Sequence, residues 1–209
     1  MKLYDSDIAA SPRRVRIFLA EKGIAVPIVK IDLREKVQFT EAFRKVNPWC
    51  TVPTLELDDG RCISEVSVIC LYFEQLHPDP PLIGSSPAEQ AHVLMWDRHM
   101  EQDGWDAARD AFRNAAPALK NHALAGPHDV EQIPALAERG RQRFGWFLED
   151  LDARLARSAF VAGQRYTIAD ITALATIDFA RRVKITDIGD YAHVRRWYEE
   201  ADARSSARA

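Results

Sequence analysis

The chain reads as an α+β domain followed by an all-helical one. Residues 1–77 alternate short β-like runs with helical runs, and residues 87–204 carry helical patterning throughout. Between them, the eleven residues from His77 to Pro87 hold four prolines. Proline fixes φ and removes a backbone donor, so this stretch neither continues a helix nor sits inside a sheet. The expected division is a domain over 1–77, a linker over 78–86 and a second domain over 87–209. A chain of 209 residues has room for that at ordinary domain size.

Each element has a local cause. Lys2–Asp5 is a short strand. Ser11-Pro12 opens a helix, with serine expected at the N-cap and proline at the first helical position. Val15, Ile17, Phe18 and Leu19 supply its apolar face, and Gly23 stops it. Pro27–Leu33 is a β-branched strand, which makes a strand-helix-strand unit and a parallel pair. A helix over 37–46 ends at Asn47-Pro48. Pro53–Leu57 and Arg61–Ser64 flank Asp58-Asp59-Gly60, an antiparallel hairpin signal. Glu65–Leu76 closes the domain as a helix. The order is βαβ, α, ββα, a small mixed sheet with helices on its faces.

In the second region a long helix starts near Pro87, with Val93, Trp96, Met100, Ala107 and Ala111 on one stripe. Lys120–Asp129, with Gly126-Pro127, is a loop. A helix over 134–157 carries Leu136, Phe144, Phe147, Leu148, Leu151 and Leu155. The next begins at Thr167-Ile168-Ala169-Asp170, a capping box in which Thr167 and Asp170 satisfy each other's amides. A last helix spans about 190–203.

Composition excludes several function classes. Apolar residues make up 47% and charged residues 28%, ordinary for a globular protein. Twenty-eight Lys and Arg against thirty-one Asp and Glu leave a net charge of −3, spread evenly over both halves. Neither a nucleic-acid footprint nor a lipid-binding basic flank is present. The longest strongly apolar run, Val66–Phe73, is far shorter than a membrane span. Met1–Asp5 lacks the apolar core of a signal peptide. Cys50, Cys62 and Cys70 have no paired spacing and the six histidines no ligand spacing, so neither a disulfide framework nor a metal site is expected. Those features point to a cytoplasmic protein.

Three places carry chemistry. Val52-Pro53 is either a plain strand start or a cis bond that exposes the backbone of Val52 for pairing with an extended peptide. Glu65 is either dipole-matching charge at a helix start or a carboxylate for a ligand's ammonium, beside amides that bind a carboxylate. Ser11 is either an N-cap or, with Arg13 and Arg14 and the helix N-terminus, a group that stabilises a thiolate.

Taken in order, Arg14-Val15-Arg16-Ile17, Ala20-Glu21-Lys22-Gly23, Val52-Pro53-Thr54-Leu55, Leu57-Asp58-Asp59-Gly60, Ile63-Ser64-Glu65 and Thr167-Ile168-Ala169-Asp170 make the chain resemble the glutathione transferase superfamily. Leu3-Tyr4-Asp5-Ser6 and Phe112-Arg113-Asn114 look most like its fungal and bacterial members related to the yeast enzymes. The resemblance implies a thioredoxin-like N-terminal domain (βαβαββα), an all-helical C-terminal domain, a homodimer, and a site in the cleft between domains.

It also implies glutathione as co-substrate, a hydrophobic electrophile as second substrate, and a detoxifying conjugation. By position, Val52 ahead of a cis Pro53 pairs with the cysteinyl part of glutathione. Glu65 and Val66 take the γ-glutamyl end, and Lys36 takes the glycyl carboxylate. Val66 departs from the family's usual serine, so a hydroxyl contact is lost and the amide remains. Ser11 is the expected thiol activator, with Tyr4, Asn114 or a bound water as alternatives. Where a redox relative would carry Cys-Pro-x-Cys, this chain has Ser11-Pro12-Arg13-Arg14, which holds no thiol. Cys50 is an isolated cysteine near Val52. Trp49, Trp105, Arg109 and Phe112 are candidates for an electrophile pocket. The rival reading is a non-catalytic interaction module on the same fold.

Overall fold

A computed structural model describes residues 1–209. The chain divides into two compact units: Met1–Pro80 with Leu124–His128 and Ala209, and Pro81–Ala123 with Asp129–Arg208.

The first unit runs β1 (Lys2–Asp5), α1 (Ala10–Glu21), β2 (Ile28–Lys30), α2 (Glu41–Val46), β3 (Thr54–Glu56), β4 (Cys62–Ser64) and α3 (Val66–Leu76). This is the thioredoxin-like order. The sheet is β2-β1-β3-β4. β1 is parallel to β2 and antiparallel to β3, and β3 is antiparallel to β4. Tyr4 pairs with Thr54, and Thr54 with Ser64, so β1 and β4 point the same way and leave the sheet at the same end.

Two elements differ from expectation. The second strand shrinks from Pro27–Leu33 to Ile28–Lys30, because the ladder to β1 closes where Leu3 donates to Pro27 and Ile31 donates to Asp5. The helix expected over 37–46 breaks at Thr40. A 3-10 turn, Val37–Phe39, precedes it, and the Thr40 hydroxyl then accepts from the Phe43 amide at 3.3 Å to start α2 afresh.

Leu3 and Leu55 face each other across the sheet and are fully buried with Val15, Ile17, Phe18, Ile69, Cys70 and Phe73. Strand alternation turns Tyr4 to the other side, where its ring meets Phe43 of α2 edge-on at 5.9 Å. Val52 packs on that Tyr4–Ile31–Phe43 cluster. At the far ends of α1 and α3, the Lys22 side chain is completely buried. Its ammonium pairs with the Glu74 carboxylate and donates to the His77 and Pro80 carbonyls, each at 2.7 Å. An opposite charge and two carbonyl acceptors compensate the buried ammonium.

The second unit begins with α4 (Pro87–His99), which passes without a break through a π-helical turn (Met100–Trp105) into α5 (Asp106–Arg113). α6 (Pro134–Leu155), α7 (Ile168–Arg182) and α8 (Ala192–Asp202) follow. Two glycines permit close approach. A Cβ on Gly104 would come within 2.7 Å of the Phe147 ring, and one on Gly140 within 2.6 Å of the Ala111 backbone nitrogen. No helix is long and apolar enough to cross a membrane.

α7 is buried from Ile168 through Ile177, and its start is the hub of the unit. The expected capping box between Thr167 and Asp170 is present. Asp170, 0% exposed, accepts from the Thr167 amide (2.9 Å), the Thr167 hydroxyl (3.0 Å), the Val161 amide (2.9 Å) and the indole of Trp197 on α8 (2.9 Å). Burial pushes its carboxyl up to about 6, against the downward pull of those donors.

Removing Thr167's hydroxyl deletes one of these bonds, whereas removing the carboxylate strands several buried donors. Thr167→Ala is expected to cost about 1 kcal/mol and Asp170→Ala roughly 3 kcal/mol. Denaturant unfolding of the two variants checks this, and equal losses would contradict the hub.

Candidate active site

The strand directions collect the sequence-predicted residues at one end of the first unit's sheet. β1 and β4 leave there toward α1 and α3, β2 leaves there toward Lys36, and Val52-Pro53 enters β3 there. Ser11, Lys36, Val52, Pro53, Glu65 and Val66 therefore come from four chain segments that share one end of the sheet. The Val52-Pro53 bond is cis.

Ser11 is not the N-cap. α1 starts at Ala10 on an Ala9 cap, so Ser11 is the second helical residue and Pro12 the third. The Ala9 amide donates to Ser6, and that turn brings the chain into the helix early. Proline tolerates the position because first-turn amides have no intrahelical acceptor.

Helix starts differ across the molecule. α2, α4 and α7 begin on side-chain acceptors, and the Asp152 carboxylate accepts from His193 and Val194 at the start of α8. α1, α3 and α6 begin on Ala9, Glu65 and Ile133 with no side-chain cap and no acidic residue in the first turn, and of these α1 and α3 start at the shared end of the sheet. Their N-terminal amides and positive dipole ends remain available to an anion.

The predicted residues are similarly unengaged. The Ser11 hydroxyl, the Lys36 ammonium and the Glu65 carboxylate make no hydrogen bond or ion pair within the chain, and the Val52 amide and carbonyl make none. Lys36 and Glu65 both hold positive φ, 56° and 69°. For residues with a Cβ that conformation costs on the order of 1–3 kcal/mol, which the surrounding fold must impose. Val66 is different: its side chain is buried, 5% exposed, and only its backbone is placed to meet a ligand.

The alternatives to Ser11 are engaged elsewhere. Tyr4 donates its hydroxyl to Glu56 at 2.7 Å, and burial together with that bond raises its pKa. Cys50 is buried, with its sulfur 3.6 Å from the Pro48 carbonyl. Asn114 uses both ends of its amide: Oδ1 accepts from the Ile133 amide at 3.0 Å, and Nδ2 donates to the Asp110 carbonyl at 3.1 Å. Gln132 donates to the carbonyls of Arg113 and Ala116, and Arg113 to those of His122 and Ala123. Together these clasp the base of the 116–133 loop.

Of the residues expected at an electrophile pocket, Trp105 and Phe112 meet in the helical unit. The link is Phe179 of α7, which sequence reasoning missed, with ring centroids 5.0 Å and 5.4 Å from theirs. A lone phenylalanine in an amphipathic helix carries no signal of such a role. Arg109 pairs with Asp106 at 3.0 Å, and burial raises the Asp106 pKa. Trp49 belongs to the first unit and is 66% exposed. No cluster of His, Cys, Asp and Glu could hold a metal ion.

The glutathione S-transferase N-terminal domain model matches residues 10–76, and the C-terminal domain model matches residues 134–200. The chain is 32% identical to glutathione S-transferase 2 of Saccharomyces cerevisiae over 211 residues, covering 100% of this chain and 88% of that protein. It is 29% identical to glutathione S-transferase F12 of Arabidopsis thaliana, over 99% of this chain and 94% of the relative. Among solved structures, a glutathione S-transferase domain-containing protein of Marinobacter aquaeolei VT8 superposes with a TM-score of 0.92 at 35% identity, covering 99% of both chains. Gtt2 of Saccharomyces cerevisiae superposes with a TM-score of 0.91 at 31% identity, over 100% of this chain and 99% of that one.

If Asn114 serves the loop, Asn114→Ala should lower stability by about 1–2 kcal/mol and speed tryptic cleavage after Lys120. An unchanged unfolding midpoint with unchanged cleavage would return Asn114 to the candidate thiol activators.

Proposed function

Because the chain belongs to the glutathione S-transferase family and is a transferase enzyme of it, we propose that the unengaged groups at the sheet end bind glutathione and activate its thiol. The observation that carries this reading is the contrast in satisfaction. The Asp170 carboxylate, the Lys22 ammonium and the Asn114 amide are engaged within the chain, whereas the Ser11 hydroxyl, the Lys36 ammonium, the Val52 backbone and the Glu65 carboxylate are not.

Glutathione is a tripeptide with an anion at each end and an ammonium at one. The Val52 amide and carbonyl pair with the cysteinyl backbone in strand fashion, beside Pro53. The γ-glutamyl carboxylate sits on the amides at the start of α3, including that of Val66, and its ammonium meets the Glu65 carboxylate. Lys36 takes the glycyl carboxylate. The sulfur then lies at the uncapped start of α1, where the Ser11 hydroxyl donates to it. A free thiol titrates near ~8.5, and a hydroxyl donor with a helix N-terminus lowers that value. The thiol proton passes to solvent. The sulfur lone pair forms a bond to an electrophilic carbon, and the leaving group departs with its bonding pair. The half-buried Trp105, Phe112 and Phe179 give the helical unit an aromatic surface suited to an apolar electrophile.

The same proposal includes a cytoplasmic, detoxifying role and a homodimer. Exposed Val68, Leu71 and Leu76 on α3 form an apolar strip at helical spacing, and burial against a second copy removes it from water.

Glutathione titrated at neutral pH should produce a thiolate band in the ultraviolet difference spectrum, and Ser11→Ala should abolish it. Binding with no band in the wild type would overturn thiol activation. Glu65→Ala should weaken glutathione binding about tenfold or more with the fold intact, in keeping with the loss of a charged hydrogen bond; equal affinity by calorimetry would remove Glu65 from the site. Leu71→Glu should convert a dimer to a monomer in sedimentation. A wild type that is itself monomeric would remove the dimer.

A further inference from the structure

Lys22 lies at the opposite end of the sheet from every residue in the proposed site, yet its contacts constrain that site. α1 and α3 follow parallel strands, pack side by side, and are nearly equal in length, 12 and 11 residues. Their C-terminal ends meet at the Lys22 ammonium, which is the C-cap residue of α1. It reaches Glu74 in the last turn of α3, the His77 carbonyl just past its end, and the Pro80 carbonyl beyond, each at 2.7 Å. Its side chain is 0% exposed and that of Glu74 3%. The Phe18 ring lies 5.4 Å from the ammonium.

We propose that Lys22 is a positioning residue: it fixes how far α1 is advanced along α3, and thereby the spacing between the N-termini that hold the thiol and the γ-glutamyl end. This rests on the glutathione-site reading above. Apolar contacts between two helices hold over a small slide, because they lack direction. Two hydrogen bonds and an ion pair from one buried ammonium do not. A slide of one residue is about 1.5 Å, enough to turn a 2.9 Å hydrogen bond into none. Glutathione anchored on α3 would then present its sulfur away from Ser11 and the start of α1. The ligand would still bind, but its thiol would lose the donors that lower its pKa. A lysine that merely stabilised the fold would change the melting temperature and leave the bound thiol's titration where it was.

The test is a pH titration of the thiolate band of bound glutathione, with calorimetry of S-methylglutathione, which has no ionisable thiol, run in parallel. Lys22→Met takes away the ammonium facing the buried Glu74 carboxylate and serves poorly alone. Lys22→Met combined with Glu74→Met removes both charges at similar volume. The double variant is expected to melt cooperatively and to bind S-methylglutathione within about threefold of wild type. Its bound thiol should titrate about one unit higher, tenfold less thiolate at a given pH below the titration midpoint. A folded double variant whose thiol titrates as in the wild type overturns the positioning role alone. A double variant that does not fold moves the test to Glu74→Gln, which keeps the lysine and its two carbonyls; a raised thiol pKa there supports the role and an unchanged one overturns it. A wild type that binds glutathione with no thiolate band overturns the site reading and the positioning role together.

Discussion

Strand direction is the constraint on which the proposed chemistry depends. The pairing of Tyr4 with Thr54 and of Thr54 with Ser64 makes β1 and β4 parallel across an intervening antiparallel strand. The helices that follow them must therefore begin at one end and return to the other. That alone puts two positive helix ends side by side, and β3 starts between them. Slipping β3 by one residue would turn Leu55 out of the core and misplace Val52 relative to both helix starts. The apolar pairing of Leu3 with Leu55 thus protects the arrangement of polar groups above it.

The molecule divides its polar groups into two kinds. At Asp170, four donors converge on a single carboxylate and tie the 161 turn, the start of α7 and the middle of α8 together. At Asn114, one amide joins the end of α5 to the residue before α6. Satisfied groups like these hold the fold and have no capacity left for a ligand. The groups at the sheet end are half-buried or exposed, and two of them, Lys36 and Glu65, hold backbone conformations that residues with side chains seldom adopt. Strain and unmet bonding in one place fit the ligand-binding role proposed for this end of the sheet.

Much of this was legible in the sequence. The hairpin at Asp58-Asp59-Gly60 and the capping box at Thr167–Asp170 were readable because each depends on residues within a few positions of one another. The unit order followed from proline-rich punctuation and changing periodicity. Less legible were features set by distant partners. Ser11-Pro12 looks like a cap and a first residue, but a turn from Ser6 starts the helix earlier. Thr40 splits what periodicity joins. Asn114 was a candidate activator only because its partners, Asp110 and the Ile133 amide, cannot be inferred from its neighbours. Lys22 looks like an ordinary charged residue at a helix end until α3 closes over it, and Phe179 gains meaning only beside Trp105 and Phe112.

The π-helical turn at Met100–Trp105 bears on how a chain of this kind can change length. A π turn accommodates one residue more than an α turn over the same rise. Here the turn itself holds Gly104, packed against Phe147, and the helix just beyond it packs through Ala107–Ala111 against Gly140. With these two points holding its C-terminal side, a single residue inserted in the turn can be absorbed locally as a bulge, without rotating α5 by the hundred-odd degrees that an extra α-helical residue would impose. The turn is a place where the ancestry of the helix can record an insertion or a deletion while Trp105 and Phe112 keep their partner Phe179.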